Sequence, residues 1–299
     1  MAGSTNVEPL SDGSGARVRL PDGRSIGVRE TGDNSGWPLL VLTGTPGSRL
    51  SPLPDVDATR EQGARVLVVE RPGFGISDPL PGRRVLDWPS DIANVADTFG
   101  MEAFAMAGMG TAGAYLAACA FVLPERVRAV AMVGVFSPFA VPQARGSMTW
   151  RRRWIHRALG LAPIAPAVLR AIGAARVQQG MGVQLADCDK RILARIQTPF
   201  AAMKREAFRQ GPDGFALDLA LAARPWGFRL EDIRVPIHLW HGDLDASAPP
   251  AMGRYLASAI PGCHARFVSG EGHMLAYSIW PEVLRTLAPT RSDRAAGAY

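Results

Sequence analysis

The sequence predicts an α/β domain: a mostly parallel central sheet with helices on both faces, interrupted by a helical insert. Three observations carry this. Short apolar runs such as Pro38–Leu42 and Arg65–Val69 read as strands buried on both faces. Helix-period segments stand between those runs, and the alternation of strand and helix argues for crossover connections in a parallel sheet. The rhythm then breaks near Ser137, and residues 139–229 carry helical periods cut by Pro and Gly before a strand pattern resumes at Ile237.

Each element has its own signal. Arg17–Leu20 and Ser25–Arg29 alternate around Pro21-Asp22-Gly23, the pattern of a β-hairpin. Pro38–Leu42 feeds the tight loop Thr43-Gly44-Thr45-Pro46-Gly47, and a short helix is expected near Val56–Gln62. Arg65–Val69 ends in Glu70-Arg71-Pro72-Gly73-Phe74-Gly75. Asp91–Phe99 reads as a helix with Ser90 as its N-cap. Ala103–Ala107 is a strand that runs into a Gly-rich turn and a small-residue helix, Thr111–Phe121. Arg128–Val135, Ile237–Trp240 and Ala265–Val268 complete the strands, with helices at Ala251–Ala259 and Ile279–Leu287. The expected division is a core of residues 16–138 and 230–290, a helical lid at 139–229, and flexible termini at 1–15 and 289–299.

Composition narrows the classes. The chain has 299 residues, 47% of them hydrophobic and 20% charged, which excludes a disordered protein. The net charge of +6 is carried almost wholly by Arg, a bias that by itself says little about nucleic acid. The N-terminal residues show no basic stretch followed by an apolar one, and no run of about 18 uncharged apolar residues occurs, so neither a signal peptide nor a membrane span is expected. The three cysteines, Cys119, Cys188 and Cys263, are widely spaced, which suits a reducing cytoplasm better than disulfides or a zinc site.

In an open parallel sheet, ligands bind beyond the carboxyl ends of the strands. Four groups of residues stand there: Thr43–Arg49, Arg71–Asp78, Gly108–Gly113, and the pair His241–Asp245 with Gly270–His273. The first of them contains neither the dinucleotide G-x-G-x-x-G pattern nor a P-loop lysine, so a nucleotide cradle is not expected there. Together, and in this order, they resemble the α/β-hydrolase superfamily, in particular its esterase, epoxide-hydrolase and iminopeptidase-like branch, over about residues 16–288. The resemblance implies a role for each. Thr43-Gly44-Thr45-Pro46-Gly47 is similar to the loop whose amide, here that of Thr45, serves the oxyanion hole. Gly108-Met109-Gly110-Thr111-Ala112 is similar to the nucleophile elbow, normally G-x-S-x-G, with Thr111 as the second oxyanion donor. Asp245 stands at the acid's position and His273 at the base's. Gly44, Met109 and Trp154 are expected to touch the substrate.

One departure governs the functional reading. The nucleophile slot holds Gly110, which has nothing to attack with. Shifting the register to Thr111 puts the bulky Met109 where a tight turn needs a small residue, and a β-branched residue fits a strained elbow poorly. Three readings follow. The first is an enzyme of serine-independent type, a lyase, decarboxylase, cyclase or water-adding enzyme of the kind met in secondary metabolism, in which His273 with Asp245 acts as general base. The second is a non-catalytic binding protein. The third is an ester or amide hydrolase inactivated by a Ser-to-Gly change.

The insert carries 15 Arg or Lys against 5 Asp or Glu, so the positive charge is concentrated there and the rest of the chain is net acidic. A basic lid would draw in a small anionic substrate, while a solvated basic face explains the same charge. The aromatic residues Trp150, Trp154, Phe200, Phe208, Trp226 and Phe228 suit a pocket lining or the insert's own core. Neither nucleic acid nor membrane is expected as a partner, a homodimer is compatible with the sequence, and no cofactor or metal is called for. His156, His238 and His264 read as structural, His241 as a loop cap, and Asp78 and Asp243 as braces of their own turns.

Overall fold

The computed structural model describes residues 6–139, 141, 185–222 and 224–290. Its nine strands are β1 (Val7–Pro9), β2 (Ala16–Arg19), β3 (Ser25–Gly32), β4 (Trp37–Leu42), β5 (Ala64–Val69), β6 (Phe104–Gly110), β7 (Val127–Val135), β8 (Ile237–Gly242) and β9 (His264–Val268). They form one sheet in the order β1-β2-β3-β5-β4-β6-β7-β8-β9. The pairs β1–β2, β2–β3 and β3–β5 are antiparallel, and every pair from β4–β5 to β8–β9 is parallel.

The period-2 alternation of the strands sorts the core into two faces. Leu40, Leu42, Leu67, Val69 and Met106 pack with helices α2 (Trp88–Thr98), α3 (Ala112–Val122) and α7 (Pro250–Ala259). Leu39, Val66, Val68, Ala105 and Ala107 pack on the other face with α8 (Ala276–Leu287), beside α1 (Val56–Glu61). Both faces are therefore dry, which is why these strands read as unbroken apolar runs.

Between β7 and β8 the described part of the insert holds three helices: α4 (Asp187–Arg195), α5 (Gln197–Ala207) and α6 (Asp213–Ala222). Trp154 and His156 lie outside the described residues. Three expectations are corrected. The N-terminus is not loose throughout, because Val7–Pro9 pairs with β2 and Leu10 and Gly15 close a turn. Ser90 is not an N-cap: α2 starts at Trp88 with Pro89 in its first turn, where a missing N–H costs nothing. At the other end Pro289 is buried, so ordered packing reaches beyond the expected start of the tail.

Candidate active site

The site begins with the turn from β6 into α3. Gly110 sits at φ +61°, a conformation that glycine adopts freely and other residues at a cost. The turn is tight: a Cβ on Gly108 would lie 2.6 Å from Leu42 O and 2.9 Å from the Cβ of Ala112. This is the steric reason for small residues on either side of Gly110. A Cβ on Gly110 itself would meet nothing closer than 3.5 Å, and that nearest atom is Nε2 of His273, with Gly44 Cα at 3.8 Å. The elbow thus points its central residue at the histidine and at the glycine of the facing loop.

His273 is held from two sides. Its Nδ1 is 2.9 Å from Oδ2 of Asp245. Asp245 is buried, and its other oxygen accepts from the amides of Ser247 and Ala248, both at 2.8 Å. A carboxylate fixed in this way orients the ring and turns Nε2 toward Gly110. His241 stands on the far side of Asp245, with Nε2 3.7 Å from Oδ2 and 2.6 Å from the carbonyl oxygen of Ala248. Burial lowers its pKa, so it is neutral.

The second hold on His273 comes from the insert. Asp189, in the first turn of α4, accepts from the amides of His273 at 3.0 Å and Met274 at 2.7 Å. Nothing in the sequence marked Asp189 as part of a site.

Opposite the elbow, a buried polar cluster fixes the Thr43–Pro46 loop. The Thr111 hydroxyl donates to Thr45 Oγ1 at 2.7 Å, and the Thr45 hydroxyl donates to Asp218 at 2.7 Å. Arg71 donates through Nε to Asp218 at 2.7 Å and through the same guanidinium to the carbonyls of Thr43 and Gly44. Arg83 and Tyr115 also donate to Asp218. Burial alone would raise the Asp218 pKa, but Arg71 and Arg83 with these hydrogen bonds hold it far below the carboxylate range. Asp218 lies on α6, so a carboxylate from the insert supports the loop and commits the Thr111 hydroxyl to Thr45. The Thr111 hydroxyl is thus directed at Thr45. Sequence reasoning placed Arg71 at this end of the sheet without a role, and missed Arg83, Tyr115 and Asp218.

Met109, Gly110, Thr111, Gly44, Thr45 and His273 all line one cavity of about 230 Å³. Its walls are apolar, with Leu53, Phe136, Phe200 and Trp280 among them. The polar ends of two wall residues are turned inward to the protein: Tyr277 donates to Pro52 O and Trp280 Nε1 to Thr59. No Lys, Arg, Asp or Glu is among the described lining residues.

The remaining loop residues act locally. Asp78 accepts from the Ser25 amide, tying its loop to β3, and Asp243 accepts from Gly270 N and Ser269 Oγ. His238 and His264 stack with centroids 5.3 Å apart. Among the described residues no cluster of three His, Cys, Asp or Glu could hold a metal ion, and no helix is long and apolar enough to cross a membrane.

Residues 38–278 match the family model of the alpha/beta hydrolase fold. No curated protein sequence matches this chain. Among solved structures, an enol-lactonase from Burkholderia xenovorans superposes with a TM-score of 0.66 at 20% identity, covering 90% of this chain and 97% of its own. An esterase from Thermogutta terrifontis gives a TM-score of 0.64 at 20% identity, over 90% and 96% of the two chains. A bromoperoxidase from Bacillus anthracis gives 0.63 at 21% identity, over 88% and 94%. At these identities the likeness is one of fold.

Proposed function

The chain belongs to the α/β-hydrolase fold family, and on that premise we propose that it is an enzyme that works without a nucleophilic side chain, with His273 as general base. The observation that carries the proposal is the space over Gly110. His273 Nε2 is 3.5 Å from the point where a Cβ at this position would stand, and both border the apolar cavity. A water molecule or an acidic C–H or O–H of a substrate fits where a serine side chain would otherwise be.

In this reading the substrate enters the cavity with its carbonyl oxygen toward the amides of Thr45 and Thr111. His273 takes a proton from water or from substrate through Nε2. Asp245 keeps the ring in the correct tautomer and stabilises the imidazolium that forms. The negative charge that develops on the substrate oxygen is met by the two backbone N–H groups, donors fixed beforehand by the Thr45–Asp218–Arg71 cluster. His273 then returns the proton to the leaving or rearranged group. Water addition, elimination and cyclisation share this sequence; in a decarboxylation the enolate forms by loss of CO2 and protonated His273 delivers a proton to the carbon. No covalent intermediate forms at residue 110.

The substrate is a small molecule with an apolar body, because the described walls offer packing and few polar contacts. An anionic substrate would rely on the basic residues at 145–176, which lie outside the described residues. The insert serves as a lid that shapes the cavity and keeps water from its apolar end.

The same space supports a second reading. A Cβ at Gly110 meets no atom closer than 3.5 Å, so the elbow accommodates a serine and the chain can be read as a hydrolase that has lost one. Turnover separates the two. His273→Ala in the otherwise unchanged chain abolishes turnover of the true substrate on the first reading. A chain that turns over nothing, or whose turnover survives that substitution, contradicts it.

A further inference from the structure

The insert docks on the core through three carboxylates. Glu206 on α5 meets Arg49, Asp218 on α6 meets Arg71 and Arg83, and Asp189 on α4 meets the histidine loop. Two of them engage arginines beneath the surface. Asp189 differs in what it holds. Both its oxygens accept backbone N–H groups, and those belong to His273 and to the residue after it. Asp189 is 1% exposed, and the residue before His273 is Gly272, where a Cβ would stand only 2.3 Å from Asp189 Oδ2. The glycine leaves room for the carboxylate to reach the loop.

We propose that Asp189 is a positioning residue for His273: a carboxylate from the insert that sets the histidine loop and, by its charge, favours the protonated imidazole. It touches neither cavity nor reacting atoms. Its two acceptors span the peptide that carries the catalytic ring, so any slackening of α4 against the core moves the ring relative to Gly110. Its carboxylate lies against the His273 backbone, while the Asp245 carboxylate meets the ring at Nδ1. Among the described residues, the charged or titratable groups facing His273 include Asp245 from the loop after β8, Asp189 from α4, and the neutral His241 behind Asp245. Coulomb attraction between a buried carboxylate and a nearby imidazolium raises the histidine's proton affinity. The insert then does more than cover the cavity: it completes the base when it is docked.

This inference rests on His273 being the proton-carrying residue, but its test needs no substrate. The full-length protein is labelled with ¹³C at histidine Cε1, the His273 signal is assigned by its loss in His273→Gln, and each variant is titrated by NMR. Asp189→Asn keeps the shape and removes the charge. The expected result is an apparent His273 pKa lower by roughly one unit than in the unchanged protein. Asp187→Asn, on the same helix but exposed and paired with the exposed Lys190, leaves the His273 titration where it was. Should Asp189→Asn fail to fold, Gly272→Ala, which pushes the carboxylate off the loop from the core side, is measured instead and gives the same downward shift. A simple staple would lower the melting temperature in these variants and leave the titration unmoved. A folded Asp189→Asn or Gly272→Ala protein whose His273 titrates within a tenth of a unit of the unchanged chain overturns the proposal. Loss of turnover in His273→Ala bears on the general-base reading alone, so the two claims fail separately.

Discussion

Gly110→Ser is the substitution whose consequences can be worked most fully from the structure. The added Cβ lies 3.5 Å from His273 Nε2, 3.7 Å from its Cε1 and 3.8 Å from Gly44 Cα, all ordinary contacts, so no neighbour must move. The cost is in the backbone. At φ +61° a residue with a side chain loses about 1–2 kcal/mol relative to glycine. Melting should therefore fall by roughly 2–8 °C, with the cooperative transition kept. From that Cβ, Oγ comes within hydrogen-bond reach of Nε2, about 2.6–3.2 Å. Asp245, His273 and the amides of Thr45 and Thr111, the proposed acid, base and oxyanion donors, are already in place. The variant should hydrolyse p-nitrophenyl acetate with an initial burst, at a rate raised by roughly 10³, well inside the ~10⁶ that loss of a serine nucleophile costs. It should also take up a fluorophosphonate label at residue 110, read by mass spectrometry, while the unchanged protein takes up none there. A folded Gly110→Ser protein with neither burst nor label would refute the placement of residue 110 against His273.

Other outcomes follow from the buried groups. Asp218→Asn leaves Arg71 and Arg83 without their carboxylate inside the protein and should cost about 3–5 kcal/mol in urea unfolding; a cost under 1 kcal/mol would mean the cluster is not a fixed support. His241 is neutral because burial lowers its pKa from 6.5, so the unfolded chain binds a proton more readily. Its contribution to stability is full above pH 6.5 and is lost as pH falls through the folded value, with a slope of at most about 1.4 kcal/mol per pH unit for one proton. His241→Gln should flatten the stability–pH curve below pH 6.5, and an unchanged slope would contradict a neutral buried His241. In a Gly110→Ser background, His273→Ala should remove the acquired esterase activity by at least about 10³, and retention of it would show that His273 is not the base.

The core of the fold was legible because β4, β5, β6 and β7 are buried on both faces and announce themselves as apolar runs, and because Gly108, Gly110 and Ala112 obey the steric demand of one tight turn. The pairing of His273 with Asp245 was legible because the two occupy loops after neighbouring strands. The rest was hidden by distance and by the ambiguity of charge. Asp189 and Asp218 lie in a segment whose pattern reads as ordinary solvated helix, yet they meet partners 84 and 147 residues away in the chain. Arg71 reads as a polar loop residue and is instead fully buried beneath the Thr43–Pro46 loop. Val7–Pro9 is too short for periodicity to register, and its strand exists only because β2 offers an edge.

The central claim is that substrate or water occupies the space over Gly110 under the control of His273. The measurement that tests it most directly is a crystal structure of the unchanged protein soaked with a small lactam, a carbonyl probe that resists hydrolysis. The account predicts the carbonyl oxygen on the amides of Thr45 and Thr111, and a water or probe N–H within about 3.2 Å of His273 Nε2, directly over Gly110. A probe bound with its carbonyl turned away from those amides, or a side chain filling the space over Gly110, would contradict it.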